Sequence, residues 1–312
     1  MFLDLLQTPG LGRSADALLP AHPPVPSRRD GVDSEYGRLE SVLLADPRHL
    51  DLVPCNSVSN ETISKGLRSS RTRAARQHGR LVAALEEEGI EVRLVPAEAE
   101  LPDLAFARDT SLMSPWGLIG LRPGAAHRMG EVDSVMRAAR ACGVPVLGRI
   151  GRGRIEGGDV AMIRPGLLAI GISGNRSDDE GAGALAALYR SRGWEVILYP
   201  LDPHFLHLDT VFCMIDRNLA VACTEVLEES FLATIGRLGI ELLPMAYEEA
   251  RRLGCNMLSL GGKRVVTSGA CPSVEAELAL RGYRSITLDL SEFTMCGGGV
   301  HCLTMPLRRA RG

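Results

Sequence analysis

Cys302 stands just beyond three consecutive glycines, Gly297-Gly298-Gly299. Glycines let a backbone turn sharply and approach a ligand closely, so a thiol placed there can act as a thiolate nucleophile. A free cysteine is otherwise usually an inert core residue. The other seven cysteines read that way, with Cys213, Cys223 and Cys255 in apolar stretches. His207 lies beside Asp209 in HLDT, and an acidic neighbour can set an imidazole's tautomer or raise its pKa. Glu156 precedes Gly157-Gly158-Asp159, a tight turn able to aim a carboxylate. Asp103 and Asp109 flank the apolar stretch of LPDLAFARDT. A thiol, an imidazole and several carboxylates suit nucleophilic attack on a cationic substrate with acid–base help.

Composition restricts the setting. Of 312 residues, 45% are hydrophobic and 23% charged, which excludes a disordered, collagenous or coiled-coil chain. A net charge of -3 and an aromatic content of 4% offer neither an electrostatic footprint nor a stacking surface for nucleic acid. No run of about 18 apolar residues predicts a membrane span. The opening MFLDLLQTPGLGRS lacks the basic start of a signal peptide. No Cys-x-x-Cys pair announces a zinc site. The expectation is a soluble, cytoplasmic protein with free thiols, binding neither nucleic acid nor membrane.

These residues must be positioned by a repeated element. Residues 1–35, rich in Pro, Arg and Asp, read as a flexible N-terminal arm, and residues 36–312 as one catalytic domain. LESVLLADP predicts a strand, residues 67–89 a helix closed by Gly89, and EVRLVPA a strand. Hairpin patterns then recur at residues 109–122, 159–172, 210–223 and 256–267. Each is followed by a helical stretch (127–142, 180–192, 225–238 and 273–282) and a short apolar strand. A period of this size predicts a ring of strand-strand-helix-strand units. With the opening segment about five units fit. Asp103, Asp109, Glu156, His207, Asp209 and Cys302 all fall at unit boundaries, which in a ring would converge on the axis.

The motifs LPDLAFARDT, RPGAAHR, IEGGDV, GISGNRSD, HLDTVF and GGGVHCLT also occur in a telling order across residues 35–307. The chain resembles the guanidino-group-modifying, or pentein, superfamily, and within it the dimethylarginine dimethylaminohydrolases and arginine deiminases. The resemblance implies a five-bladed α/β propeller. It makes Cys302 the nucleophile, His207 the general acid and base, and Glu156 the carboxylate that pairs with the histidine and substrate. It implies that Asp109 and Asp209 grip the guanidinium, that Arg128 and Arg176 hold a substrate α-carboxylate, and that Asp103 reads the α-amino group. The implied reaction cleaves a C–N bond of arginine or a methylated arginine through a thiouronium on Cys302, giving citrulline plus ammonia or an amine. No cofactor or metal is implied. The partner is a small guanidino compound, with room left for a homodimer.

Two other functions share this scaffold. An amidinotransferase would use the same residues and admit an amine acceptor. A non-catalytic pentein-like binding protein would lack the Cys and His that this chain retains. Arg108-Asp109, Asp209 and GGGVHC resemble arginine deiminases and amidinotransferases, because dimethylarginine enzymes usually carry Glu-Asp and lack an Asp at the HLD position. Asp103, and a length that leaves no room for the helical insertion of arginine deiminases, favour the dimethylarginine enzymes.

Overall fold

Four times along the chain the same order recurs: an antiparallel hairpin, a crossover helix, and a strand that returns parallel to the hairpin's second member. The computed structural model describes residues 31–311. The first blade opens on β1 (Leu39–Ala45), passes through α1 (Ser57–Ser64) and α2 (Arg71–Glu87), and returns on β2 (Glu91–Val95). The second blade holds β3 (Ser111–Ser114), β4 (Gly117–Gly120), α3 (Met129–Ala141) and β5 (Val146–Arg149). The third holds β6 (Val160–Arg164), β7 (Leu167–Ile172), α4 (Asp179–Arg190) and β8 (Glu195–Pro200). The fourth holds β9 (Phe212–Asp216), β10 (Leu219–Ala222), α5 (Glu229–Arg237) and β11 (Glu241–Pro244), followed by the short α6 (Tyr247–Ala250). The fifth holds β12 (Leu258–Ser259), β13 (Arg264–Thr267), α7 (Pro272–Leu280) and β14 (Arg284–Thr287). Two single-turn helices, α8 (Ser291–Thr294) and α9 (Val300–Leu303), lead to β15 (Met305–Arg309).

β15 supplies what the first blade lacks. It pairs antiparallel with β1, so the sheet order is β15-β1-β2 and chain end closes on chain start. The sequence predicts an opening unit of only strand, helix and strand; the missing strand lies more than 200 residues away, beyond any local pattern. Closure gives five equivalent three-stranded sheets.

The hydrophobic pattern explains which strand goes where. β3 is buried throughout and β9 nearly so, while β2, β8 and β14 alternate toward solvent. The former type lines the axis and the latter forms the rim. Each crossover helix is followed by a glycine in the left-handed region, Gly89, Gly143, Gly193, Gly239 or Gly282, with φ of 76–79°. This helix stop returns the chain to a parallel strand. Between the blades, apolar side chains pack continuously; Trp116, Tyr189 and Trp194 meet edge-on with centroids 5.1–5.9 Å apart.

Residues 31–35, read from the sequence as the end of a flexible arm, pack against the domain. Val32, Ser34 and Glu35 are buried, Gly31 bonds to Leu307, and Glu35 reaches the axis. Glu35 is drawn inward because it offers a counter-charge to buried Arg108. Residues 1–30 lie outside the described part of the chain. Among the described residues, no helix is long and apolar enough to cross a membrane.

Candidate active site

The turns leading into the five inner strands meet at one end of the ring. Asp109 precedes β3, and Glu156 starts the 3-10 turn Gly157–Asp159 ahead of β6. His207 and Asp209 belong to the turn before β9, Asn256 precedes β12, and Cys302 lies in α9 before β15. Asp103, Asp109, Arg128, Arg176, His207 and Cys302 line a cavity of about 20 Å³, room for about one water. Glu156 and Asp209 stand directly behind this lining.

On one wall, His207 Nε2 donates to Glu156 Oε2 at 2.6 Å. Its Nδ1 lies 3.7 Å from Asp109 Oδ1. The ring packs flat over Gly158, where an added Cβ would fall 2.6 Å from Nδ1; only glycine fits. Burial disfavours a charged imidazole, yet Asp109 and then Cys302, Glu156 and Asp159 outweigh it and raise the pKa well above the usual range. Burial likewise acts against Glu156 as an anion, but His207, then Arg176 and Arg128, bring its pKa down to about 2. The geometry is that of a stored imidazolium held by a carboxylate.

On the opposite wall, the Cys302 thiol donates to Asp209 Oδ2 at 3.5 Å and accepts from Asn256 Nδ2 at 3.1 Å. Asn256 Oδ1 also accepts from the backbone amides of His301 and Cys302, at 3.0 and 3.2 Å. The three glycines permit this packing: a Cβ on Gly298 would sit 2.3 Å from the Phe106 ring, and one on Gly299 2.6 Å from Asn256 Oδ1. Burial, reinforced by Asp209, pushes the Cys302 thiol up to about 12. Asp209 Oδ2 is shared with His301 Nδ1 at 2.8 Å, and His301 Nε2 faces Glu35 at 3.5 Å. Arg108 meets Glu35 at 3.4 Å, so a chain of polar contacts runs from Cys302 through Asp209, His301 and Glu35 to Arg108.

The remaining expected residues have partners of their own. Arg128 donates to Asp109 Oδ2 at 2.7 Å, to Glu131 Oε2 at 2.9–3.0 Å and to the Phe106 carbonyl at 3.0 Å. Its guanidinium is therefore matched by two carboxylates. Arg176 donates to the Cys55 carbonyl at 2.6 Å and lies 3.5 Å from Glu156. Asp103 Oδ2 accepts from His127 at 2.7 Å. Asp109 Oδ1 and Asp209 Oδ1 are buried without a hydrogen-bond partner. Unsatisfied buried carboxylate oxygens cost stability, and beside a cavity they are where a cationic ligand's N–H groups would be received.

The sequence profile described as N,N dimethylarginine dimethylhydrolase, eukaryotic, matches residues 49–309. The chain belongs to this dimethylarginine dimethylhydrolase family. A Bacillus subtilis protein, YkgA, is 31% identical over 88% of this chain and 94% of its own. The arginine deiminase of Mycobacterium marinum is 28% identical over 67% of this chain and 61% of its own. The solved dimethylarginine dimethylaminohydrolase of Pseudomonas aeruginosa, complexed with citrulline, superposes with a TM-score of 0.73. It is 25% identical and covers 86% of this chain and 99% of its own. The five-bladed fold is thus that of the pentein superfamily, and as a dimethylarginine dimethylhydrolase family member the protein is a hydrolase of guanidino groups.

Within this family site, sequence reasoning missed Asn256, Cys55 and Cys296. Asn256 opens the fifth hairpin, the position that carries Asp109, Glu156 and His207–Asp209 in the other repeats, so repeat alignment could have found it. Cys55 and Cys296 were expected to be core residues; Cys296 is buried in the core and also lines the cavity, while Cys55 is only half-buried there, because the Cys55-Asn56 stretch ahead of α1 meets the Cys296-Gly297 turn. No local pattern marks either.

Proposed function

We propose that the protein hydrolyses the guanidino group of free arginine through a covalent intermediate on Cys302, releasing ammonia and leaving citrulline. Two unpartnered carboxylate oxygens carry this reading, Asp109 Oδ1 and Asp209 Oδ1. Asp209 lies beside the sulfur, at 3.5 Å. Two carboxylates can localise a delocalised guanidinium only through N–H groups, and a dimethylated nitrogen has none to give. Arginine therefore suits the site better than dimethylarginine.

The bound cation stabilises the thiolate, the Cys302 proton leaves to solvent as substrate enters, and the thiolate attacks the guanidino carbon. The imidazolium of His207 protonates the departing nitrogen, and ammonia leaves from a thiouronium. Water, deprotonated by His207, adds to the same carbon. Collapse restores sulfur and gives citrulline. Asp103 receives the substrate's α-ammonium and Arg176 its α-carboxylate. Arg128, already committed to Asp109 and Glu131, chiefly orients Asp109.

A groove of about 440 Å³ adjoins the cavity, and Cys55, Asn56, Arg176 and Leu206 line both. Substrate enters through it by exchanging the Arg176–Cys55 contact for its own carboxylate. All eight cysteines are unpaired, which suits a reducing compartment such as the cytoplasm.

The deciding experiment offers arginine, monomethylarginine, dimethylarginine and agmatine, scoring amine release and product mass, with and without an added amine acceptor. The expected result is ammonia and citrulline from arginine, with kcat/KM at least about tenfold above that for dimethylarginine, the worth of one charge-assisted contact. Faster dimethylamine release would overturn the arginine assignment. An amidino group captured by the acceptor would make the protein a transferase. Agmatine turned over as well as arginine would remove the role of Arg176.

A further inference from the structure

We infer that Cys55, Asp103 and His127 form a binding site for a soft divalent cation such as zinc, at the mouth of the active site. The ligand atoms of these three residues all lie within 4.8 Å of one another. Asp103 Oδ2 is the hub, 2.7 Å from His127 Nε2 and 3.8 Å from Cys55 Sγ. A thiolate, an imidazole and a carboxylate are the donor set that tetrahedral zinc prefers, and three protein ligands leave one position open. Cys55 and His127 are partly exposed while Asp103 is buried, so an ion can arrive from the adjoining groove.

A second trio, Asp109, Glu156 and His207, is as compact. There the positive charge is already supplied: Arg128 bonds to Asp109 at 2.7 Å and Arg176 lies 3.5 Å from Glu156. Among the described residues, no guanidinium hydrogen-bonds the Asp103 carboxylate; Arg128 reaches only its carbonyl. Burial and Asp103 keep the Cys55 thiol protonated without metal, so binding releases that proton to solvent, and the thiolate and the Asp103 carboxylate then offer two negative charges that a divalent cation neutralises. The backbone holds the thiol in place, since the Cys55 amide is tied to Ser59 Oγ and its carbonyl to Arg176. His127 lies in the 3-10 turn that opens α3.

Occupation has a consequence that rests on the proposed role of Asp103. An ion on that carboxylate competes with the substrate's α-ammonium, so the cation acts as a competitive inhibitor and couples turnover to free metal. Binding itself does not depend on that reading, and its test does not use activity.

The experiment titrates Co²⁺ into the full chain and follows the thiolate-to-metal charge-transfer band. Wild type and Cys302→Ser should both bind one ion and show the band. Cys55→Ser should abolish it, and His127→Ala should weaken binding by about tenfold or more. A band lost in Cys302→Ser and kept in Cys55→Ser would place the ion on the nucleophile and overturn the inference. So would no binding below millimolar metal. If the band behaves as expected but zinc leaves KM for arginine unchanged, the site stands and the role of Asp103 in substrate binding falls.

Discussion

The two walls of the cavity differ in how their charges are met. On the His207 side the carboxylates behind the ring are well matched: Glu156 takes Nε2, the Gly124 amide and Arg176, and Asp159 takes the Leu208 amide and Ser177, while His207 Nδ1 and Asp109 Oδ1 face each other at 3.7 Å. On the Cys302 side the sulfur is flanked by Asp209, whose Oδ1 is left bare. The first wall stores a proton and the second holds back a charge. In the proposed reaction the acid is ready before substrate arrives and the nucleophile only afterwards. The two resting states have different causes: burial and Asp209 keep the Cys302 thiol protonated, whereas the His207 imidazolium persists against burial because Asp109, Cys302, Glu156 and Asp159 outweigh it.

The largest break in this contrast is the loss of the proposed nucleophile. Cys302→Ser should lower kcat/KM by more than about a thousandfold while the melting temperature stays close to wild type, since the covalent step is gone and the shape is kept. Quenched-flow mass spectrometry of a His207 variant should then show the substrate's amidine carbon on Cys302. Retention of a hundredth of the wild-type rate would move the nucleophile elsewhere.

The pH profile separates the two walls. Cys302 is raised to about 12 in the free protein, so alkylation should climb about tenfold per pH unit above neutrality, hundredfold over two units. A guanidinium analogue that leaves the sulfur accessible should bring that rise to lower pH. His207 titrates well above its ordinary value, so its proton is present through neutral pH and kcat/KM falls only as pH climbs through the raised pKa. Alkylation that is flat from about pH 5 to pH 8, where depressed thiols titrate, would show a preformed thiolate and erase the contrast.

Asp209→Asn tests the bare oxygen. It should cost about 10- to 100-fold in kcat/KM for arginine, the range of one charge-assisted hydrogen bond. The loss for dimethylarginine should be smaller. Equal losses for both would mean that Asp209 acts through Cys302 and His301 rather than on substrate.

The smallest effect belongs to Asn256→Ala. Its amide donates to the sulfur and accepts two backbone amides, so those donors would be left buried and unpaired. A fall in stability of about 1–3 kcal/mol is expected, with a loss in kcat of no more than about tenfold. A loss as large as that of Cys302→Ser would make Asn256 part of the chemistry.

Much of this arrangement is legible in residue order. Hairpin turns, left-handed glycines after helices and a period near fifty residues are local signals, and each reports a unit that must bury its apolar face against a neighbour. The recurrence of polar residues at unit boundaries marks the end of the ring where they meet. What escapes is whatever depends on chain ends or on contacts between distant stretches. β15 closes the first blade from the far end of the chain, Glu35 is drawn inward by Arg108, and Cys55 joins the cavity because the stretch ahead of α1 is tied to the Cys296 carbonyl.

The sequence by itself determined the five repeats, the thiol, the imidazole and the carboxylates at their boundaries, because period and residue type are properties of short stretches. Only the tertiary structure decided the partners. It set Arg128 on Asp109 and Glu131 rather than leaving it open to solvent, placed Asn256 under the sulfur, and left one oxygen each of Asp109 and Asp209 unmatched. The physical reason is that a charge's role is fixed by what lies within a few ångströms of it in low dielectric, and those neighbours come from different blades.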